Sequence, residues 1–412
     1  MAKKKVRRRL KFGLYSNPLF ILATSASIVF ISFGIRQSFG LFLVPVSMDL
    51  GWGRETLSLA LASQNLMIGI AAPFAGACAA RWGPARTIAI GGLIFSLGVL
   101  VMSRATGPSE MIAGAGILAG LGLGACGLPL ILATVSQVAP HEKRSLWLGI
   151  ATASATGGQL VVVPLSQNVL MAYDWIIALM ALSVIAGLIV PMALSMAAGV
   201  TTATGKDTEI TIKEAITEAL RHRGFLLLII GFYVCGFHVA FIAVHLPAYL
   251  LDGGATVELG ATALMLIAFF NMMGAWGSGW LAGIVRKKYL LSGIYSVRSV
   301  IILAFISFPM TPTTVILFAA AMGLLWLSTV PPTSGLVSQI FGTRYMGMLY
   351  GFIYFGHQLG SFTGIWIGGI IFDATGSYQI IWEIAIGLGI ASALIHLPIN
   401  DRPLARLEKH VT

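Results

Sequence analysis

Residues 34–45 read GIRQSFGLFLVP, and residues 236–247 read GFHVAFIAVHLP. A shift of 202 positions lays the first on the second, with Gly34 on Gly236, Phe39 on Phe241 and Pro45 on Pro247. The same gapless shift continues outward, placing Pro129 on Pro331, Ser136-Gln137 on Ser338-Gln339, Gly149 on Gly351 and Gly158 on Gly360. One offset held from Gly34 to Gly158 marks an internal duplication, so the chain reads as two copies of one unit.

The units are apolar. The 412 residues are 57% hydrophobic and 10% charged, against about 25% charge in an average soluble domain. A bilayer core takes about 20 apolar residues per helix. Stretches of that order fall at 19–47, 55–80, 87–104, 110–137, 145–170, 175–198, 224–250, 258–285, 290–308, 313–340, 345–372 and 377–398. The expected fold is therefore an all-α membrane protein of twelve transmembrane helices in two pseudosymmetric six-helix bundles, 19–198 and 224–398. A basic segment 1–18 precedes them, a linker 199–223 joins them and a tail 399–412 follows. Parallel repeats of this kind relate by an axis along the membrane normal, with a binding site between the halves near the midplane. In the linker, the spacing of Ile212, Ile216 and Leu220 predicts a short amphipathic helix on the membrane surface.

The net charge of +11 reflects orientation rather than a nucleic-acid partner. All but four of the 26 Lys and Arg fall in the N-terminal segment, the linker, the tail and the loops on the same side; the exceptions are Arg36, Arg54, Arg104 and Arg298. Both termini are then expected in the cytoplasm, in the inner membrane of a cell. The start MAKKKVRRRLKFG resembles the basic region of a signal peptide, but the following apolar run is too long and ends in no small-residue cleavage site. Cys78, Cys126 and Cys235 lie in apolar stretches and read as packing residues.

The loop Gly76-Ala-Cys-Ala-Ala80-Arg81-Trp-Gly83-Pro-Ala-Arg86 resembles the G-x-x-x-D-R-x-G-R-R signature of the major facilitator superfamily, and Gly279-Trp-Leu-Ala-Gly283-Ile-Val-Arg286-Lys287-Lys288 is a weaker echo of it. Ala80 stands where the signature has an Asp that serves a cytoplasmic latch, so a latch here must be built differently. Within the superfamily, Gln37-Ser38-Phe39-Gly40-Leu41-Phe42 through Leu50-Gly51-Trp52-Gly53-Arg54, with the loop from His141 to Gly149, resembles monocarboxylate transporters and their bacterial oxalate/formate-type relatives. That resemblance implies a secondary carrier and a basic residue in the first helix, the position Arg36 holds. It also ties proton coupling to an Asp and an Arg in the eighth helix, which fall here on Asn271 and Ala275.

A charge at mid-membrane costs about 2.5–3.5 kcal/mol on insertion scales, so each needs an account. Arg36 lies roughly 17 residues into the first helix, about 25 Å along its axis, with no obvious carboxylate partner; Glu383 lies near the outer end of the last helix, within reach of the interface. A substrate anion is the natural counter-charge. Arg298, about nine residues into the ninth helix, is expected instead to tie helix-end carbonyls together or to snorkel. The repeat places His238 opposite Arg36. His245 and Tyr249 each fall within about 20° of His238 around the seventh helix, and His357 stands in the eleventh. Arg36, His238, His245, Tyr249, Asn271, Tyr354 and His357 are the candidate substrate-binding residues, with a histidine taking an accompanying proton. Gln64, Asn65, Gln159, Tyr350 and Gln358 are further polar residues in cavity-facing helices, each equally suited to holding helices together.

Other chemistry finds no support. Gly122-Leu-Gly124-Ala-Cys-Gly127 fits G-x-G-x-x-G but sits inside an apolar helix and reads as a packing face. No P-loop, metal-ligand cluster or nucleophile with its base is present, so neither an enzyme nor a cofactor is expected. The expected function is alternating-access transport of a small organic anion, a monocarboxylate or oxalate-like acid, by a monomer in symport or exchange. Export of larger amphiphilic compounds is the alternative, and a transporter-like sensor without flux is a third class.

Overall fold

The computed structural model describes residues 17–51, 54–200 and 210–408; the basic residues 1–16, most of the linker's polar start and Lys409 lie outside them. Among the described residues every regular element is helical. The spans are α1 Pro18–Phe42, α2 Arg54–Trp82, α3 Pro84–Ser103, α4 Pro108–Val138, α5 Arg144–Ala172, α6 Trp175–Ala198, α7 Arg223–Asp252, α8 Val257–Ile284, α9 Lys287–Ser307, α10 Pro312–Phe341, α11 Met346–Thr375 and α12 Gln379–His396. All are apolar enough to cross a bilayer by composition except α11, which matches α7 in length at 30 residues but carries His357 and Gln358 midway. The twelve-helix expectation is met.

The repeat's marker glycines explain the duplication physically. In the first half α1 crosses α5 where Gly34 meets Gly158; a Cβ on Gly34 would lie 2.7 Å from the Gly158 carbonyl oxygen. In the second half α7 crosses α11 at the corresponding Gly236 and Gly360, whose added Cβ atoms would collide with the carbonyls of His357 and Tyr233. Backbones approach this closely only where the side chain is a hydrogen, and without water in lipid such contact is a main source of helix association. Gly122 and Gly124 likewise press on α3 and α2, at Phe95 and Ala71, as a packing face should.

Two spans are broken at equivalent places. In α4 a π-helical turn, Ile112–Leu118, precedes an interruption at Gly127, just before Pro129; α10 is interrupted between Leu325 and Val330, just before Pro331-Pro332. Proline removes an N–H from the ladder and clashes with the preceding turn, which ends the first half-helix. Pro164 and Pro247 lie inside continuous α5 and α7.

The α2–α3, α4–α5, α8–α9 and α10–α11 loops share one face, with the linker helix Ile212–Arg221 and the tail. This basic face is held by Arg286 paired with Asp401 at 2.6 Å, Arg406 with Glu218 at 3.1 Å, and Lys288 Nζ donating to the Ile399 carbonyl. Hydrogen bonds from Arg286 hold the Asp401 carboxyl below its ordinary value. The linker helix forms as expected, capped by a Thr211–Glu214 box, but it buries Ala215 and Ala219 and leaves Leu220 51% exposed. Two small residues one turn apart let the helix lie closer than an Ile and Leu seam would, which turns Leu220 outward.

The halves meet toward the basic face. Gly149 of α5 abuts Gly279 of α8, and Gly351 of α11 abuts Pro73 of α2, where an added Cβ would fall 2.8 Å from the Gly279 Cα and 2.6 Å from the Pro73 nitrogen. Gly76 sits equally tightly on Gly347 and Met348. Gly149 and Gly351 are repeat equivalents, so one contact is made twice. Ala80 takes no part in an ion pair, and backbone contact at glycine does the closing that the signature's Asp serves elsewhere. Gly149→Leu should therefore separate the basic-face ends of the halves. Nitroxide labels on the basic-face ends of α2 and α11, in a background lacking Cys78, Cys126 and Cys235, should report a longer distance than without the Gly149 change. An unchanged distance would show that the contact is not what holds the face closed.

Candidate functional site

Between the halves lies a cavity of about 550 Å³, contributed by α1, α2, α4 and α5 on one side and α7, α8, α10 and α11 on the other. It is shut toward the basic face by the glycine contacts and opens at the opposite end, where lining residues such as Leu66, Val244, Phe362 and Trp366 are exposed. Polar groups gather around Arg36 on the walls; the mouth is apolar and aromatic.

Arg36 is the cavity's single Lys or Arg among the described lining residues, and no described carboxylate lies within ion-pair distance of it. Its Nη2 donates to Asn65 Oδ1, the ring of Phe33 lies 5.9 Å below its guanidinium, and the Tyr354 hydroxyl is close by. The Asn65 bond uses one of the fork's five N–H donors, so others are left for a planar anion. Asn65 is fixed from both halves: its Nδ2 donates to the Leu61 carbonyl on its own helix, and Gln358 of α11 donates to the Asn65 carbonyl at 3.0 Å. Gln358 Oε1 in turn faces His357 Nδ1 at 3.2 Å, and the His357 ring stacks on Tyr354 with centroids 5.5 Å apart and planes 4° from parallel.

Four sequence candidates thus share the cavity: Arg36, Asn271, Tyr354 and His357. Asn271 bridges the halves, donating to Thr156 Oγ1 of α5 at 2.8 Å and accepting from the Leu327 N–H at 3.0 Å in the break of α10. His238, His245 and Tyr249 do share one face of α7, as their spacing requires, but that face turns away from the cavity. The fully buried His238 donates from Nε2 to the Ala385 carbonyl of α12 at 2.7 Å, and its Nδ1 has no partner among the described residues. His245 lies between the Ile365 carbonyl and the Tyr378 hydroxyl, and Tyr249 packs edge-on against Phe305, Tyr378 and Trp382. The cavity face of α7 is Val239, Ala240, Ala243 and Val244, which carries no polar signal. Of the further polar residues, Asn65, Gln159 and Gln358 line the cavity; Gln64 instead donates to the Ala115 carbonyl at 2.7 Å, joining α2 to α4, and Tyr350 is buried elsewhere. Phe33, Trp326, Phe362 and Trp366 were not singled out, because aromatic residues are routine in an apolar helix.

Arg298 is fully buried and caps the first half of broken α10. Its Nη2 donates to the carbonyls of both Leu325 and Trp326, its Nη1 reaches Cys235 Sγ at 3.6 Å, and its guanidinium lies 5.5 Å from the Tyr295 ring centroid. The C-terminal carbonyls of a half-helix carry partial negative charge. They and the aromatic face offset the burial of a cation without any carboxylate, as the sequence suggested for this residue.

The profile described as Major Facilitator Superfamily matches residues 25–365. Among curated relatives, monocarboxylate transporter 13 of Bos taurus is 25% identical over 401 residues, covering 92% of this chain and 90% of that protein. The uncharacterized MFS-type transporter YcxA of Bacillus subtilis (strain 168) is 23% identical, covering 91% and 93%. Among solved structures, the E. coli fucose:proton symporter FucP superposes with a TM-score of 0.67 at 15% identity, covering 91% of this chain and 98% of that one. A FucP structure in the outward conformation gives 0.71 at 14% identity, with the same coverage. The human organic anion transporter MFSD10 gives 0.70 at 12%, covering 91% and 99%.

The two arginines should separate on substitution. Arg298→Leu orphans two buried carbonyls at about 1–3 kcal/mol each, and its melting temperature in detergent should fall well below wild type. Arg36→Gln loses no comparable cap and should melt within a degree or two of wild type or above it. Equal melting of both variants would remove the structural assignment of Arg298.

Proposed function

Because this chain belongs to the Major Facilitator Superfamily, a family of membrane transporters rather than enzymes, we propose that it carries a small organic anion by alternating access, with Arg36 as the anion's counter-charge. The observation that carries the reading is a guanidinium with donors to spare, facing an open cavity whose described lining holds no carboxylate. A carboxylate that pairs with the fork supplies both the missing charge and two matched acceptors. Relatives named as monocarboxylate transporters support an acid as cargo. The basic face is assigned to the cytoplasm by the distribution of Lys and Arg, so the cavity described here faces outward, and the cell's inner membrane is the assigned location. One chain contributes both walls of the cavity, which makes a monomer sufficient.

The accompanying proton is assigned to His357. It is the cavity's single histidine among the described lining residues, and histidine is the side chain that ordinarily changes charge near neutral pH. His238 and His245, committed to the packing of the second bundle, are given structural roles, as is Tyr249. Asn271, where the resemblance expects the proton-linked Asp, holds the α10 break and Thr156 and has no proton to exchange.

Uptake of labelled carboxylates into proteoliposomes tests the reading. Arg36→Gln should cut uptake roughly 10- to 150-fold, the equivalent of a charge-assisted hydrogen bond worth about 1.5–3 kcal/mol. Wild-type uptake that is indifferent to Arg36, together with inhibition by bulky lipophilic cations, would instead favour an exporter of amphiphilic compounds. His357→Gln should retain exchange of internal for external substrate while losing stimulation by an inward proton gradient. Full gradient stimulation in that variant would remove the proton from His357.

A further inference from the structure

Building on the anion reading, we propose that the cavity selects a bulky aromatic monocarboxylate over small acids such as lactate or oxalate. Three observations converge on that class. The first is charge: Arg36 is the single Lys or Arg among the described lining residues and balances one carboxylate.

The second observation is size. A cavity of about 550 Å³ falls within the roughly 300–1,000 Å³ of sites that enclose drug-sized ligands. That is more room than a three-carbon acid needs, and it admits a ring of the size of phenyl or indole beyond the carboxylate at Arg36.

The third is the layout of α11, which lines the cavity along its length. Tyr354, His357 and Gln358 stand beside Arg36; one and two turns farther toward the mouth come Phe362 and Trp366. Their rings are paired, with centroids 5.9 Å apart and planes 28° from parallel, and they are 53% and 57% exposed. Leu66 and Val244, also exposed, complete this upper wall. An aromatic ring held by its carboxylate at Arg36 would cover these faces, and apolar contact of that extent favours it over a short acid by about 30-fold or more.

The experiment is uptake by the full chain in proteoliposomes, above protein-free vesicles, of labelled 3-phenylpropanoate, indole-3-acetate, lactate and oxalate, with neutral 3-phenylpropanamide as control. The expected result is a KM for the aromatic acids at least 30-fold below that for lactate. Trp366→Ala and Phe362→Leu should erase most of that difference by raising the KM for the aromatic acids. Lactate or oxalate carried as well as the aromatic acids overturns this proposal and leaves the anion carrier standing. Uptake of the neutral amide equal to that of its acid, unaffected by Arg36→Gln, overturns the anion reading itself. Uptake of none of the acids overturns both.

Discussion

Close backbone approach at glycine is the constraint on which this fold rests. In lipid, a helix gains little by trading tail contact for contact with another apolar helix, so association depends on how near two backbones can come. Gly34 with Gly158, and Gly236 with Gly360, fix the α1–α5 and α7–α11 crossings within the halves. Gly149 with Gly279, and Gly351 with Pro73, fix the crossings between them. A cavity follows from where these contacts stop. Glycine pairs draw the basic-face ends together, larger side chains keep the opposite ends apart, and the space between is the site.

The second constraint is that each backbone polar group at membrane depth needs a partner inside the protein. Breaking α10 before Pro331 exposes the carbonyls of Leu325 and Trp326 and the N–H of Leu327. Arg298 takes the first two and Asn271 the third. The equivalent break in α4 has a simpler remedy, since the Gly127 N–H still reaches the Leu123 carbonyl at 2.7 Å and Ser96 occupies the position equivalent to Arg298. The duplicated halves thus share their crossings but not the repair of their broken helices. The resulting asymmetry leaves one membrane arginine structural and the other exposed to the cavity.

Much of the architecture was legible in residue order. The 202-residue offset, the twelve apolar stretches and the different surroundings of Arg36, on the cavity, and Arg298, among helix-end carbonyls, can be read without coordinates. The face of α7 could not. Spacing puts His238, His245 and Tyr249 on one side of that helix, but periodicity does not say which neighbour that side meets. In a soluble helix the polar side marks solvent; here a cavity wall, a helix contact and a lipid face are all apolar. Val239 and Ala243 line the site and give no sign of it, while histidines that look functional satisfy carbonyls in the bundle interior. α11 was partly legible because His357 and Gln358 lower its hydropathy, and its aromatic residues were not because Phe362 and Trp366 would suit a lipid face equally well.

In the proposed function, the position of Arg36 in the hydrogen-bond network would link anion binding to movement of the halves. Asn65 accepts from Arg36 in its own half and from Gln358 in the other, and Asn271 reaches Thr156 across the same divide. Reorientation of one half against the other must break or rearrange both bridges. In the proposed cycle a carboxylate is a stronger acceptor than the Asn65 amide and competes for the same guanidinium. Drawing Arg36 toward the anion would weaken its hold on Asn65 Oδ1, which Gln358 also reaches at 3.3 Å from the other half. A ligand moves such an equilibrium only by binding one state better than the other. Arg36 would meet that requirement because its partner Asn65 belongs to the contact between the halves.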